Sequence, residues 1–124
     1  MRLKLCLAAI LLSVPVAAAA QSMNAEAFLQ RANKLKAKGP LALLSRDEIK
    51  ALMTEGQAAG QAASARNKAD KAAGRKPRYC APPETKLGSD EYMARLAAIP
   101  PAERQRINMT EATNRIMAAK HPCR

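Results

Sequence analysis

The sequence lacks tryptophan and is poor in the large apolar residues that build a core. Its 124 residues include one phenylalanine and two tyrosines. From residue 21 onward it has no valine, and leucine, isoleucine and phenylalanine together number thirteen. Such a composition, combined with a high net charge, lies within the range of disordered chains. Recurring helix caps and a pair of cysteines nevertheless favour a small folded domain with a thin core.

Acidic residues are scarce as well. The chain has 10 of them against 21 Lys and Arg, which gives a net charge of +11. This balance admits acidic partners, such as an anionic polymer or lipid or an acidic protein surface. We expect no nucleic-acid partner, because Phe28, Tyr79 and Tyr92 are too scattered to form a stacking platform. The alternative is that the charge only keeps an alanine-rich chain in solution.

The first twenty residues have the pattern of a secretory signal. Arg2 and Lys4 introduce an apolar run from Leu5 to Val16, and Ala18 and Ala20 fit an A-x-A cleavage motif. We therefore predict a signal peptide over 1–20, followed by one small domain over 21–124 in the periplasm or outside the cell. The run is short for a transmembrane helix, so an N-terminal anchor is the alternative.

Removal of a signal peptide would leave two cysteines. Cys6 would be lost, and Cys80 and Cys123 would enter an oxidising compartment, where a pair of thiols indicates a disulfide. The bond would close a loop of about 44 residues and stabilise the fold by about 4 kcal/mol. Two free thiols are the alternative. His121 and Cys123 are too few ligands for a closed zinc site, so no metal is expected.

The spacing of apolar and capping residues predicts an all-α domain of about four helices, one of them long. Asn24 caps a first helix, which stops at Gly39-Pro40. We expect the next segment, PLALL, to pack on the core. Asn108 and Glu111 form a capping box at the start of the last helix.

A second capping box, Ser45 with Glu48, opens the long helix, which should reach Ala73. Its inward face changes from large residues to small and polar ones, in the order Ile49, Leu52, Met53, Gly56, Ala59, Gly60, Ala63, Asn67 and Asp70. The two glycines would let another backbone approach closely. The second half has little apolar surface to bury, so we expect it to be exposed, frayed or used on a partner.

Six basic residues crowd the end of this helix and the chain beyond it. They are Arg66, Lys68, Lys71, Arg75, Lys76 and Arg78. We call residues 66–78 the basic segment; its far end leads into Cys80. We predict that it contacts an acidic cleft or an anionic surface, with a solvated spacer as the alternative.

The sequence shows no catalytic pattern. It has one histidine, His121, and no C-x-x-C-H haem motif. The acidic pairs Asp47-Glu48 and Asp90-Glu91 lie at predicted helix starts, where the helix dipole accounts for them. We therefore predict that the protein is not an enzyme, has no catalytic residue and binds no cofactor.

The second half of the chain contains YCAPPETKLGS followed by a predicted helix, the dipeptide IP, a further helix and the terminal HPC. This arrangement resembles the Rap/Tai-type immunity proteins. The matching positions are Cys80, Pro82, Leu87, Pro100, Pro122 and Cys123. The spacing Gly56-x-x-x-Gly60 also resembles a glycine pair in that family. Thr54 and Gln57 stand where the family often has a cysteine and an aromatic residue.

The resemblance implies a small, exported, mostly helical protein with bridged cysteines. Proteins of this type protect bacteria from the amidase toxins of type VI secretion, by inserting a protruding segment into the enzyme's cleft, often as dimers. A cell-wall amidase effector is therefore the expected protein partner, and a homodimer is the expected assembly. The alternative is a cationic envelope-associated protein that contacts an anionic polymer or lipid.

Overall fold

A computed structural model describes residues 22–124. This part of the chain is all-α: α1 is Ala25–Ala37, α2 is Arg46–Ala72, α3 is Ser89–Ala98, α4 is Pro101–Arg104 and α5 is Met109–Lys120. A 3₁₀ helix spans Gly39–Leu44. The predicted fold is confirmed: four of these helices have ten residues or more, α2 is the long one, and one disulfide joins Cys80 to Cys123. The predicted signal peptide and Cys6 lie outside the described residues.

Two asparagine caps fix the first and last helices in adjacent positions. Asn24 Oδ1 accepts from the amides of Glu26 and Ala27 at 3.0 and 3.1 Å, and Asn108 Oδ1 accepts from Glu111 N at 2.9 Å. The two capping residues also pair with each other as an isolated antiparallel bridge. Backbone hydrogen bonds hold the start of α1 beside the start of α5, from Ala25 N to the Ile107 carbonyl at 3.0 Å and from Met109 N to the Met23 carbonyl at 2.8 Å.

The predicted capping box at α2 is wrong, although the helix begins where it predicts. Ser45 makes no capping bond, and its hydroxyl accepts from Lys38 Nζ at 2.9 Å instead. The Glu48 carboxylate accepts two hydrogen bonds from the Arg31 guanidinium, both at 2.7 Å. A two-pronged charged pair is stronger than a single bond to a backbone amide, so Glu48 joins α1 to α2.

The segment PLALL does not pack on the core, contrary to the expectation. It forms most of the 3₁₀ helix, in which no residue is buried. Leu41, Leu43 and Leu44 are 66 %, 71 % and 83 % exposed. Pro40 at its start and Gly39 at φ +56° turn the chain sharply after α1, and the leucines of this short turn remain exposed.

The core is small and lies where four helices meet. It contains Phe28 and Leu29 from α1, Leu52 from α2, Leu96 from α3, and Met109 and Ile116 from α5. A buried ion pair adds to it, since Arg104 Nε donates to Glu26 Oε2 at 2.6 Å and its guanidinium also bonds the carbonyls of Ala97 and Ile99. Within residues 22–124, no helix is long and apolar enough to cross a membrane.

Candidate partner-binding site

The second half of α2 is packed, and the expectation that it is exposed or frayed is wrong. Ala63, Asn67 and Asp70 are buried with at most 8 % of their surface exposed. None of the three belongs to the apolar cluster of the core. Asn67 and Asp70 bond the chain that returns from the end of α2 toward Cys80, and α2 also packs along α5.

Asn67 joins α2 to that returning chain. Its Nδ2 donates to the Tyr79 carbonyl at 2.9 Å, and its Oδ1 accepts from the amides of Arg78 and Tyr79 at 2.9 and 3.4 Å. A side-chain amide thus satisfies three backbone groups that no strand or helix satisfies. The backbone at Arg78 and Tyr79 is fixed against the helix as a result.

The arginines of the basic segment are engaged within the domain. Asp70 forms ion pairs with Arg66 at 3.5 Å and with Arg75 at 3.0 Å. Arg78 donates two hydrogen bonds to Glu111 on α5, at 3.0 and 2.9 Å. This contact holds the pKa of Glu111 below its ordinary value and raises the pKa of Arg78. Arg75 and Arg78 therefore hold the segment in place, whereas Arg66 pairs with a residue of its own helix.

The lysines of the same segment differ. Lys68, Lys71 and Lys76 are all exposed. None of them has an acidic oxygen within 4.0 Å among residues 22–124. Of the six predicted contact residues, the structure thus leaves these three available for a partner and uses the three arginines internally.

The disulfide lies just beyond the far end of the basic segment and fixes the chain there. Cys80 and Cys123 have Cα atoms 4.9 Å apart, and Cys80 N donates to the His121 carbonyl at 2.9 Å. The His121 ring bonds the Thr85 hydroxyl through Nε2, and Lys120 Nζ donates to the Lys86 carbonyl at 2.9 Å. The loop from residue 81 to residue 88 is therefore held against the end of α5.

A groove of about 660 Å³ lies between α2 and this loop. Its floor is formed by Gly56, Gly60 and Ser64, and Pro82 and Pro83 line the loop side. The other lining residues are Asn67, Lys68, Lys71, Tyr79, Ala81, Thr85, Leu87, Tyr92, Thr113 and Met117. Two of the three available lysines thus line one groove, and no acidic residue lines it.

A second, more apolar groove of about 520 Å³ adjoins the first. They share Gly56, Leu87 and Tyr92, and the second is lined further by residues such as Phe28 and Leu35. An added Cβ at Gly56 or Gly60 would meet no heavy atom of another segment within 4 Å. The close approach expected at the glycine pair is therefore not made by any other part of residues 22–124.

The sequence did not predict the two grooves. It also did not predict that the arginines of the basic segment form ion pairs within the domain whereas its lysines do not. The grooves depend on how the loop sits against α2, which no local pattern encodes. The engaged arginines had a weak signal, since Asp70 lies four residues after Arg66 and five before Arg75. Among the described residues, no group of three or more His, Cys, Asp or Glu could hold a metal ion.

Comparisons with protein-family models, with curated proteins and with solved structures found no match to this chain.

Proposed function

We propose that the protein is an exported, non-enzymatic inhibitor of the immunity type, which binds a cell-wall amidase effector and blocks it. The observation that carries the proposal is the set of three exposed lysines on a fixed backbone. Lys68, Lys71 and Lys76 have no acidic partner among residues 22–124. Cationic side chains that remain unpaired in the domain are available for an acidic surface on a partner.

The fixed backbone favours a protein partner over a loose charge contact. Asn67, the ion pair from Arg78 to Glu111 and the disulfide hold both ends of the basic segment. A pre-ordered contact surface loses less conformational entropy when it binds a folded partner. Binding to a polymer or a lipid surface would not need this anchoring, because a flexible cationic tail would bind such a surface equally well.

The test is inhibition of a purified type VI amidase effector, starting with any encoded beside the gene. Peptidoglycan hydrolysis should fall as the protein is added, and the variant K68S/K71S/K76S should inhibit more weakly. The matched control is K34S/K36S/K50S, which removes the same charge from exposed lysines elsewhere. Equal inhibition by both variants would rule out the lysines as the contact.

The envelope-binding alternative rests on the same three lysines and is separated by salt. Attraction between exposed charges is screened over about 3 Å at 1 M salt. Capture of the amidase should survive high salt, because a shaped interface also buries apolar surface. Capture that is lost completely in salt, together with salt-sensitive binding to anionic vesicles, would favour the alternative.

A further inference from the structure

The groove between α2 and the loop has the charge of an anion-binding surface. Lys68 and Lys71 line it, and no carboxylate does. Both lysines are three residues apart near the end of α2, so their side chains lie on the same side of the helix. Two positive charges at one end of a groove favour a negatively charged group at that end.

Two hydroxyl groups extend this donor set. Tyr79 lines the groove and is 6 % exposed, and burial raises the pKa of its hydroxyl. The Tyr79 hydroxyl makes no hydrogen bond within residues 22–124. It is in contact with solvent, because Asn114 Oδ1 is the one side-chain polar atom of these residues that is both shielded from solvent and without a hydrogen bond. Ser64 also lines the groove, and its hydroxyl has no bond within the same residues. Both can donate to an oxygen of a ligand.

The groove becomes apolar away from the lysines. The floor passes over Gly60 and Gly56 to Leu87 and Tyr92, where the second groove begins. The Tyr92 hydroxyl forms a hydrogen bond with the Thr113 hydroxyl at 2.7 Å. The ring of Tyr92, rather than its oxygen, is therefore available to a ligand. From Gly56 to Lys71 the floor extends roughly 22 Å along α2, the reach of about seven residues of extended chain.

We propose that this groove binds an acidic, extended peptide segment of the partner protein. One or two carboxylates of the segment pair with Lys68 and Lys71 and accept from the Tyr79 hydroxyl. The backbone of the segment then crosses the two glycines, and small apolar side chains reach Leu87 and Tyr92. This inference rests on the proposed function for the identity of the partner, but the groove and its ligand chemistry are tested separately.

The shape of the groove favours a peptide over a lipid or a polymer. An acyl chain needs enclosure from water, whereas the floor at Gly56 and Gly60 is open space. A polyanionic polymer would leave the apolar end without a contact. A peptide combines charged side chains, apolar side chains and a thin backbone that can approach a glycine floor closely.

The experiment selects from a displayed library of random twelve-residue peptides on the immobilised protein. Enriched peptides are then synthesised with a fluorescent label, and their Kd is measured by anisotropy. We expect the enriched peptides to be rich in Asp and Glu. The variant K68S/K71S should raise Kd by about tenfold or more, because it removes charged hydrogen bonds. K34S/K36S is the charge-matched control and should change Kd little.

A second variant fills the groove without removing charge. Gly60→Leu places a side chain over the floor, where nothing obstructs it, and leucine is a better helix former than glycine. It should raise the peptide Kd by about tenfold while the helix content stays intact. Ala58→Leu is the matched control, since residue 58 is exposed on α2 and does not line the groove.

Four results would overturn the proposal. They are the enrichment of no peptide, the enrichment of peptides without acidic residues, an unchanged Kd in Gly60→Leu, and full inhibition of the amidase by Gly60→Leu. Loss of binding to phosphatidylglycerol vesicles in Gly60→Leu, without any peptide selected, would assign the groove to a lipid instead. Peptide binding without inhibition of any amidase by the wild type would contradict the proposed function alone. Full inhibition by Gly60→Leu would contradict the groove alone.

Discussion

Helix α2 is held by apolar contacts near its start and by polar contacts near its end. Leu52 and Ala59 belong to the core cluster, whereas Asn67 and Asp70 bond a returning chain and two arginines. Both stretches face inward and both are buried. A core with few large residues thus covers only part of a 27-residue helix. Hydrogen bonds and ion pairs, together with packing along α5, order the remainder, and the site lies in this second region.

The largest effect should come from the disulfide, which anchors the polar region. In Cys123→Ser the loop of about 44 residues is no longer closed, which costs about 4 kcal/mol in the chain-entropy estimate. For a domain of this size the melting temperature should fall by roughly 15 °C or more. Thermal unfolding followed by circular dichroism checks it. The reduced wild type should match the variant, and a variant that melts like the oxidised wild type would refute the role of the bond.

The next effect should come from Asn67, on which the polar packing is centred. Asn67→Ala leaves three backbone groups of Arg78 and Tyr79 without their partner, at a cost of about 2 kcal/mol. The control is Asn33→Ala, an exposed asparagine on α1 that should change stability little. Chemical unfolding measures both. Equal midpoints for the two variants would show that apolar contacts hold this half as well.

The helices could be predicted because their signals are local. Asn24 and Asn108 cap the helices they were expected to cap, and α2 ends at Ala72, one residue before the predicted end. The disulfide followed from counting cysteines under the assumption of export. Each of these inferences needs only residues close in the chain, or a single pairing.

The failures share a physical cause, which is competition from residues distant in sequence. Glu48 was expected to bond its own helix start, but Arg31 on α1 offers two charged donors. Asn67 has no apolar surface to bury, yet the backbone of Tyr79 makes its burial favourable. The groove arises from the placement of a whole loop. Such contacts depend on tertiary packing, which the pattern of one helix does not contain.

A smaller effect should appear in acid, at the ion pair between Arg78 and Glu111. The pKa of Glu111 is held below its ordinary value of 4.5 by the Arg78 hydrogen bonds. The charged carboxylate therefore stabilises the fold above that pH, and this stabilisation is lost as the pH falls through the lowered pKa. In Glu111→Gln the melting temperature should be lower than in the wild type at pH 7, and the difference should shrink in acid. Glu84→Gln, which alters an exposed glutamate without an ion pair among residues 22–124, should show no such convergence.

The smallest effect on stability should come from the lysines of the basic segment. A triple change of Arg75, Lys76 and Arg78 to Ser would mix two roles, because both arginines hold the polar region in place. The sharper comparison sets K68S/K71S/K76S against R66S/R75S/R78S, which remove the same charge from the same segment. The arginine variant should lower the melting temperature, because it releases Asp70 and Glu111. The lysine variant should melt like the wild type, because exposed side chains without ion pairs contribute little to stability. Of the two variants, it alone should weaken partner binding while the fold stays intact. A lysine variant that loses as much stability as the arginine variant would contradict the division between residues that order the segment and residues that are free to bind.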